Sequence, residues 1–322
     1  MIKNISFNKL ICFFIDSIVF DYIFYHKLKT QLTNDKIIPN YLTSIHELYK
    51  LLGDENTIII DTREPEDYVI DHIPGAVNVY DIFTYLSTKE NGGYKAMRNH
   101  FAKVFGEIGI TENKRVIIYE DAMDNGYGRS CRGYFILNHL GHKNVTVLHG
   151  GYQAWINEKM PVVKELPKII KENFVLNVDN SIIISHEEML AAINDPEKII
   201  LDCRDHAEWV AISSSPYGPD FTPRKGRIPN AVWLEWYNAM FYKNNIPWFK
   251  EPEELKNVFA SVGINEDSNV YVYCFKGART SNTFMALKMA GIKNVRNYFG
   301  SWNEWSRDFS LPIEKGYPKS KN

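Results

Sequence analysis

The sequence predicts an α/β protein made of two tandem domains, each a parallel sheet flanked by helices. Three observations lead there. An apolar strand ending in Asp-x-Arg occurs twice, as "IIIDTREPEDYVIDHIPGAVNV" at 58–79 and as "IILDCRDHAEWV" at 199–210, completed by "RIPNAVWL" at 227–234. A second pair follows in the same order: "RVIIYEDAMDNGYGRSCRGYFILNHLGHKNVTVLHGGYQAW" at 115–155 and "NVYVYCFKGARTSNTFMALKMAGIKNVRNYFGSWNEW" at 269–305. Throughout, short apolar strands alternate with helical stretches, as in parallel sheets covered by helices on both faces.

Each element has its own warrant. In the first motif an aromatic stands five residues after the Arg, Tyr68 after Arg63 and Trp209 after Arg204, before an IP[GN]AV segment. The second motif runs strand, loop, helix, Gly, "KNV", strand, Gly, Trp in both copies. Phe284, Leu287, Met289 and Ala290 have helical spacing, closed by Gly291, and the counterpart closes at Gly141. Between the copies, "EKMPVVKELPKIIKEN" has two prolines and mixed charge, as a linker should. The organisation expected is an extension over 1–39, a first domain over 40–160, a linker over 161–180 and a second domain over 181–322.

Composition bounds the function. The 322 residues suffice for two domains, and 45% hydrophobic with 24% charged residues is a globular mix. A net charge of -2 gives no basic excess for nucleic acid. Cys12, Cys131, Cys203 and Cys274 form no CxxC pair and no zinc spacing, so no metal is expected. Thiols so far apart fit a reducing, cytoplasmic setting. The segment "KLICFFIDSIVFDYIFYHKL" at 9–28 is apolar but broken by Asp16 and Asp21, short of a spanning helix. It reads as a packed helix or a weak signal sequence; the second would mean export, and a membrane contact there stays open.

Function should lie where the copies differ. Aligning Tyr119 with Tyr273 sets Glu120 opposite Cys274. The second copy reaches its helix through the compact "CFKGART", the first through the longer "EDAMDNGYGRS". Ligands of parallel α/β sheets bind beyond the carboxyl ends of the strands. A loop turning straight into a helix there aims backbone N–H groups inward, an anion cradle. Gly277 supplies the turn, Lys276 and Arg279 positive charge, and Thr280 a hydroxyl. Each should raise the thiolate fraction of Cys274.

These residues resemble the rhodanese, or sulfurtransferase, superfamily, and the pattern resembles its tandem-domain members over nearly all of 40–315. The resemblance implies an inactive first domain and a catalytic second one. It implies a double displacement without metal or organic cofactor. Cys274 would take a sulfane sulfur as a persulfide, cradled by Phe275, Lys276, Gly277, Ala278, Arg279 and Thr280. A thiol, cyanide or a protein cysteine would accept it. Lys276 resembles thiosulfate-using loops, which favours thiosulfate as donor. The alternatives are 3-mercaptopyruvate, polysulfide, or a protein-specific persulfide carrier without small-molecule turnover. Related phosphatase loops place five residues between Cys and Arg; here there are four, Phe275 to Ala278.

One departure concerns Glu208, which stands where the well-known thiosulfate and mercaptopyruvate enzymes carry an Arg. An insertion found in the second copy alone, "AISSSPYGPDFTPRKGR" at 211–227, offers Arg224, Lys225 and Arg227 as replacement anion contacts. Arg132 is a further candidate facing the interdomain cleft. Asp61, Arg63, Asp202 and Arg204 occur in both copies and read as buried structural pairs. Cys203 reads as buried, Cys131 as a buried thiol or a second reactive one, and Trp155, Trp302 and Trp305 as packing. The histidines, His72 and His149 included, form no constellation.

Overall fold

A computed structural model describes residues 41–89, 92–122 and 126–318. The readings of the N-terminal segment and of Cys12 fall outside them. β-Branched runs form the central strands of the first domain: β2 (Thr57–Asp61), β4 (Arg115–Tyr119) and β5 (Val145–Leu148), edged by β1 (Leu42–Thr43) and β3 (Ala76–Asn78). The sheet is parallel in the order β1-β5-β4-β2-β3. Its helices are α1 (Ile45–Lys50), α2 (Pro65–Ile70), α3 (Asp81–Thr84), α4 (Gly93–Glu107), α5 (Gly128–His139) and α6 (Gly151–Asn157). Ser44 caps α1 by accepting from the Glu47 N–H, and Pro65 opens α2, where its missing N–H costs nothing.

The second domain repeats the plan. β6 (Lys198–Asp202), β7 (Val232–Trp233), β10 (Asn269–Tyr273) and β11 (Asn294–Asn297) pair in parallel in the order β11-β10-β6-β7. A parallel bridge from Ile183 to Asn297 occupies the place that β1 holds beside β5. Helices α7 (His186–Ala192), α8 (His206–Trp209), α9 (Pro252–Ala260), α10 (Ala278–Met289) and α11 (Ser301–Trp305) complete it. Capping boxes start three of them: Ser185 with Glu188, Asp205 with Glu208, and Glu251 with Glu254.

The Asp-x-Arg pairs are buried in both domains. Arg63 Nε and the second guanidinium nitrogen reach Asp61, and Arg204 does the same to Asp202 at 2.9 Å from Nε. Tyr119 and Tyr273 each donate a hydroxyl to the Asp of their domain at 2.5 Å. Trp155, Trp302 and Trp305 are fully buried, as their place in the repeat suggested.

The domains share one core. α5 and α10 pack along each other, with Phe135 stacked on Phe299 and edge-on to Phe284. A hairpin of β8 (Met240–Lys243) and β9 (Ile246–Phe249) turns through Asn244 and Asn245, both at positive φ. It leaves the second domain to cover the first. Ile246 joins the first domain's apolar cluster, Trp248 meets the His149 ring edge-on, and the Phe249 N–H donates to His149 Nε2 at 3.1 Å. Burial pushes His149 down to about 4, so it accepts that bond as a neutral ring.

Candidate functional site

β10 ends at Tyr273, and Cys274 is the next residue, 1% exposed, where the strand leaves the sheet. Its main chain is fixed on both sides. The Cys274 N–H donates to Ser301 Oγ at 3.2 Å, and its carbonyl accepts from the Trp302 N–H at 3.0 Å. The chain then turns through Gly277 at φ +90° and enters α10 at Ala278. A Cβ at Gly277 would lie 2.9 Å from the Phe299 ring, so only glycine brings the loop this close. The turn aims the Gly277 N–H at Cys274 Sγ, 3.2 Å away. Thr280 Oγ1 and Ser301 Oγ lie 3.8 and 3.9 Å from the sulfur.

Burial on its own would push the Cys274 thiol up. The thiol of Cys203, the Arg279 guanidinium and the N–H groups of Thr280 and Gly277 overcome it and hold Cys274 well below the ordinary thiol range. The N-terminus of α10 adds its dipole in the same direction. These donors bias the sulfur toward the thiolate, the form that attacks a sulfur, and the same N–H groups face the place a terminal anion would take.

Arg279 does not offer an unpaired charge. Glu208 grips it bidentately at 2.6 and 3.1 Å, and Asp205 adds a contact at 3.2 Å. Glu208, 1% exposed and also near Arg204, thus orients the arginine instead of facing the cleft as a bare carboxylate. Lys276 lies over the Phe83 ring at 3.8 Å and 5.0 Å from the centre of the Tyr217 ring. Burial and the neighbouring Arg132 push its ammonium down to about 7.

Arg132 is fully buried, not on the helix surface. It donates to the Phe83 and Tyr85 carbonyls at 2.7 and 2.6 Å and covers the Phe299 ring. Burial pushes it down to about 10. It holds the first domain's α3 and the segment after it against the loop that follows β10. Cys131 packs against Met285 at 3.9 Å, away from the Cys274 loop, and burial pushes its thiol up.

Above Cys274 opens a cavity of about 470 Å³. Phe83 enters it from the first domain; Asp205, Tyr217, Trp236, Phe275 and Lys276 line it from the second. The insertion does lean over the site, but through aromatic side chains. Pro216 and Tyr217 line the cavity, and Tyr217 and Phe221 set their rings edge-on to Phe275. Its basic residues point elsewhere. Arg224 donates to the carbonyls of Trp305, Ser306, Asp308 and Leu311, Lys225 pairs with Asp220 at 2.7 Å, and Arg227 pairs with Glu314 and stacks on Trp209. Arg224 and Arg227 hold the end of α11 and the segment after it, Lys225 is paired within the insertion, and none of the three lines the cavity, because these carbonyls and carboxylates already satisfy them. The structure brings Cys274 together with Phe275, Lys276, Gly277, Ala278, Arg279 and Thr280, with Arg132 behind them.

Sequence reasoning missed Ser301, Cys203, Tyr217 and Phe83 as neighbours of the loop. Ser301 had a signal: it replaces Gly151 of the first copy. Phe83 had none, because it arrives from the other domain.

Comparison with known proteins agrees with this geometry. The model of the Rhodanese-like domain family matches residues 44–158 and 185–308. A thiosulfate sulfurtransferase from Corynebacterium glutamicum is 29% identical over 294 residues, 88% of this chain and 93% of the relative. The sulfur carrier protein TtuD of Thermus thermophilus is 29% identical over 278 residues, covering 82% and 89%. Among solved structures, an EanB variant in complex with ergothioneine superposes with a TM-score of 0.76 at 26% identity, over 87% of this chain and 71% of that one. With two such domains and a sheet order repeated between them, the chain belongs to the rhodanese family and is a sulfurtransferase.

Proposed function

We propose that the sulfur travels on Cys274 as a persulfide and that thiosulfate is the donor. The Cys274 thiolate attacks the sulfane sulfur of thiosulfate; the S–S bond breaks and sulfite leaves with the electron pair. A nucleophilic acceptor, cyanide or a thiol, then attacks the outer sulfur and Cys274 leaves as the thiolate. The observation that carries the reading is the Gly277 N–H aimed at Cys274 Sγ at 3.2 Å, at the head of α10 and beneath an open cavity. Lys276 in the cavity wall supports an anionic donor, as does the thiosulfate sulfurtransferase name of the Corynebacterium relative. Phe275, Ala278 and Thr280 complete the cradle.

A second reading has its own support. The Thermus relative is named a sulfur carrier protein, and on that reading the persulfide of this chain passes to a protein cysteine. One assay separates them. Purified protein is given thiosulfate and cyanide, with 3-mercaptopyruvate and polysulfide as rival donors, and thiocyanate is counted per chain. The enzyme reading predicts many turnovers with thiosulfate and loss of all of them in Cys274→Ser. A single thiocyanate per chain would replace it with the carrier reading.

A further inference from the structure

Cys274 has a second thiol beside it, and the sheet register put it there. β10 and β6 pair in parallel with Tyr273 opposite Asp202. The next residues on the two strands are Cys274 and Cys203. The Cys203 N–H donates to the Tyr273 carbonyl at 3.1 Å, which carries the ladder one step further. Neighbouring strands lie about 4.8 Å apart, inside the window of about 4.4–6.8 Å between the Cα atoms of a disulfide. Alternation sends both side chains to the same face, where they join one apolar cluster, while Tyr273 and Phe275 join the cluster on the other face. Cys203 Sγ lies within hydrogen-bonding reach of Cys274 Sγ, and both are free thiols, fully or almost fully buried.

We propose that Cys203 is a resolving cysteine: when no acceptor arrives, it closes on Cys274, forming an intramolecular disulfide and releasing the carried sulfur as hydrosulfide. The proposal rests on the persulfide reading above. Cys203 Sγ attacks Cys274 Sγ, the inner sulfur. The Cys203–Cys274 bond forms as the bond to the outer sulfur breaks. The outer sulfur leaves with the electron pair and takes the Cys203 proton, as HS⁻. The sulfane sulfur is reduced to sulfide and the two cysteine sulfurs are oxidised to the disulfide, so no outside oxidant enters. A dithiol reductant returns both thiols.

The surroundings suit these roles. Burial holds the Cys203 thiol well above its ordinary range, and its S–H donates to the Tyr273 carbonyl at 3.3 Å, so at rest it is protonated and does not compete for the donor molecule. Cys274, not Cys203, borders the cavity, so incoming sulfur meets Cys274 first and hydrosulfide leaves by the same opening. Transfer and closure therefore compete: an acceptor takes the outer sulfur, whereas its absence lets the neighbouring thiol expel it. Cys131, packed on Met285, has no part in the exchange.

The test uses the full reduced chain with oxygen excluded, one equivalent of thiosulfate and no acceptor. Intact mass and released hydrosulfide are followed over time. Wild type should first gain one sulfur atom, then lose it to a form two hydrogens lighter than the reduced protein. One hydrosulfide per chain should appear, and peptide mapping should find Cys203 joined to Cys274. Cys203→Ser, which keeps a hydroxyl beside Cys274, should gain the sulfur and keep it, and Cys203→Ala should gain it more slowly and keep it as well. A wild type that holds its sulfur without releasing hydrosulfide overturns the resolving step alone, and so does a disulfide that leaves Cys203 alkylatable. If neither wild type nor the variants take up sulfur, the persulfide reading fails and the resolving step falls with it.

Discussion

Ser301 is held at φ +55°, a conformation that side chains resist, and its first-copy equivalent is Gly151 at φ +58°. The strain has a use. It places a hydroxyl that accepts from the Cys274 N–H and donates to the Tyr298 carbonyl at 2.7 Å. Ser301→Gly should separate the two effects. Relief of about 1–3 kcal/mol of backbone strain is offset by glycine's extra freedom when unfolded, about 0.5–1 kcal/mol, and by the unpaired Cys274 N–H, about 1–3 kcal/mol. The melting temperature should therefore change little. The kcat/KM for thiocyanate formation should fall about tenfold, or ~1.4 kcal/mol, as the sulfur's anchor loosens. Melting curves and steady-state rates on the same preparation check this, and unchanged kinetics would remove Ser301 from the site. Residues of this kind were half legible. Cys274 and Gly277 announce themselves by type and order. The roles of Glu208 and Arg279 did not, because a bidentate pair between a strand-following helix and the first turn of another helix 71 residues later leaves no local trace.

The two strand-to-helix connections show how one element serves two ends. After β10 the loop holds the Cys274 sulfur; after β4 it holds Glu120, fully buried, which accepts from the Ser130 N–H and from Ser130 Oγ at 2.7 Å. Burial pushes the Glu120 carboxyl from 4.5 up to about 8, although the Ser130 bonds oppose it. The folded chain thus keeps a proton that the unfolded chain releases between these values. Stability contributed by the protonated form is complete below about 4.5 and is lost as pH rises toward about 8. Glu120→Gln should flatten that decline. Melts at pH 5 and pH 8, chosen to bracket the window from 4.5 to about 8, should show a smaller drop than in wild type, and parallel drops would show that Glu120 is ionised. At this scale the sequence was most legible. The parallel sheets, the Asp-x-Arg pairs and the helix ends at Gly141 and Gly291 follow from repeated local patterns. The 211–227 insertion was misread, because its positive charges were conspicuous while the working side chain, Tyr217, looked like any loop aromatic.

In the whole molecule, the first domain has become a support for the second. It contributes Phe83 to the cavity wall and buries Arg132 behind the Cys274 loop, and the β8-β9 hairpin fastens it from the other side. None of this was readable from the repeats, which report what the copies share and not how they meet. The shared core fixes α10 against α5, and with it the direction of the N–H groups around Cys274. Ionisation of that one sulfur is the claim on which the rest depends, and it can be measured without any substrate. Alkylation of Cys274, located by peptide mapping, should proceed at a nearly constant rate from mildly acidic to neutral pH, once the reagent's own pH dependence is removed. A rate that instead rises through the ordinary thiol range, near ~8.5, would show a protonated thiol at rest and contradict the account.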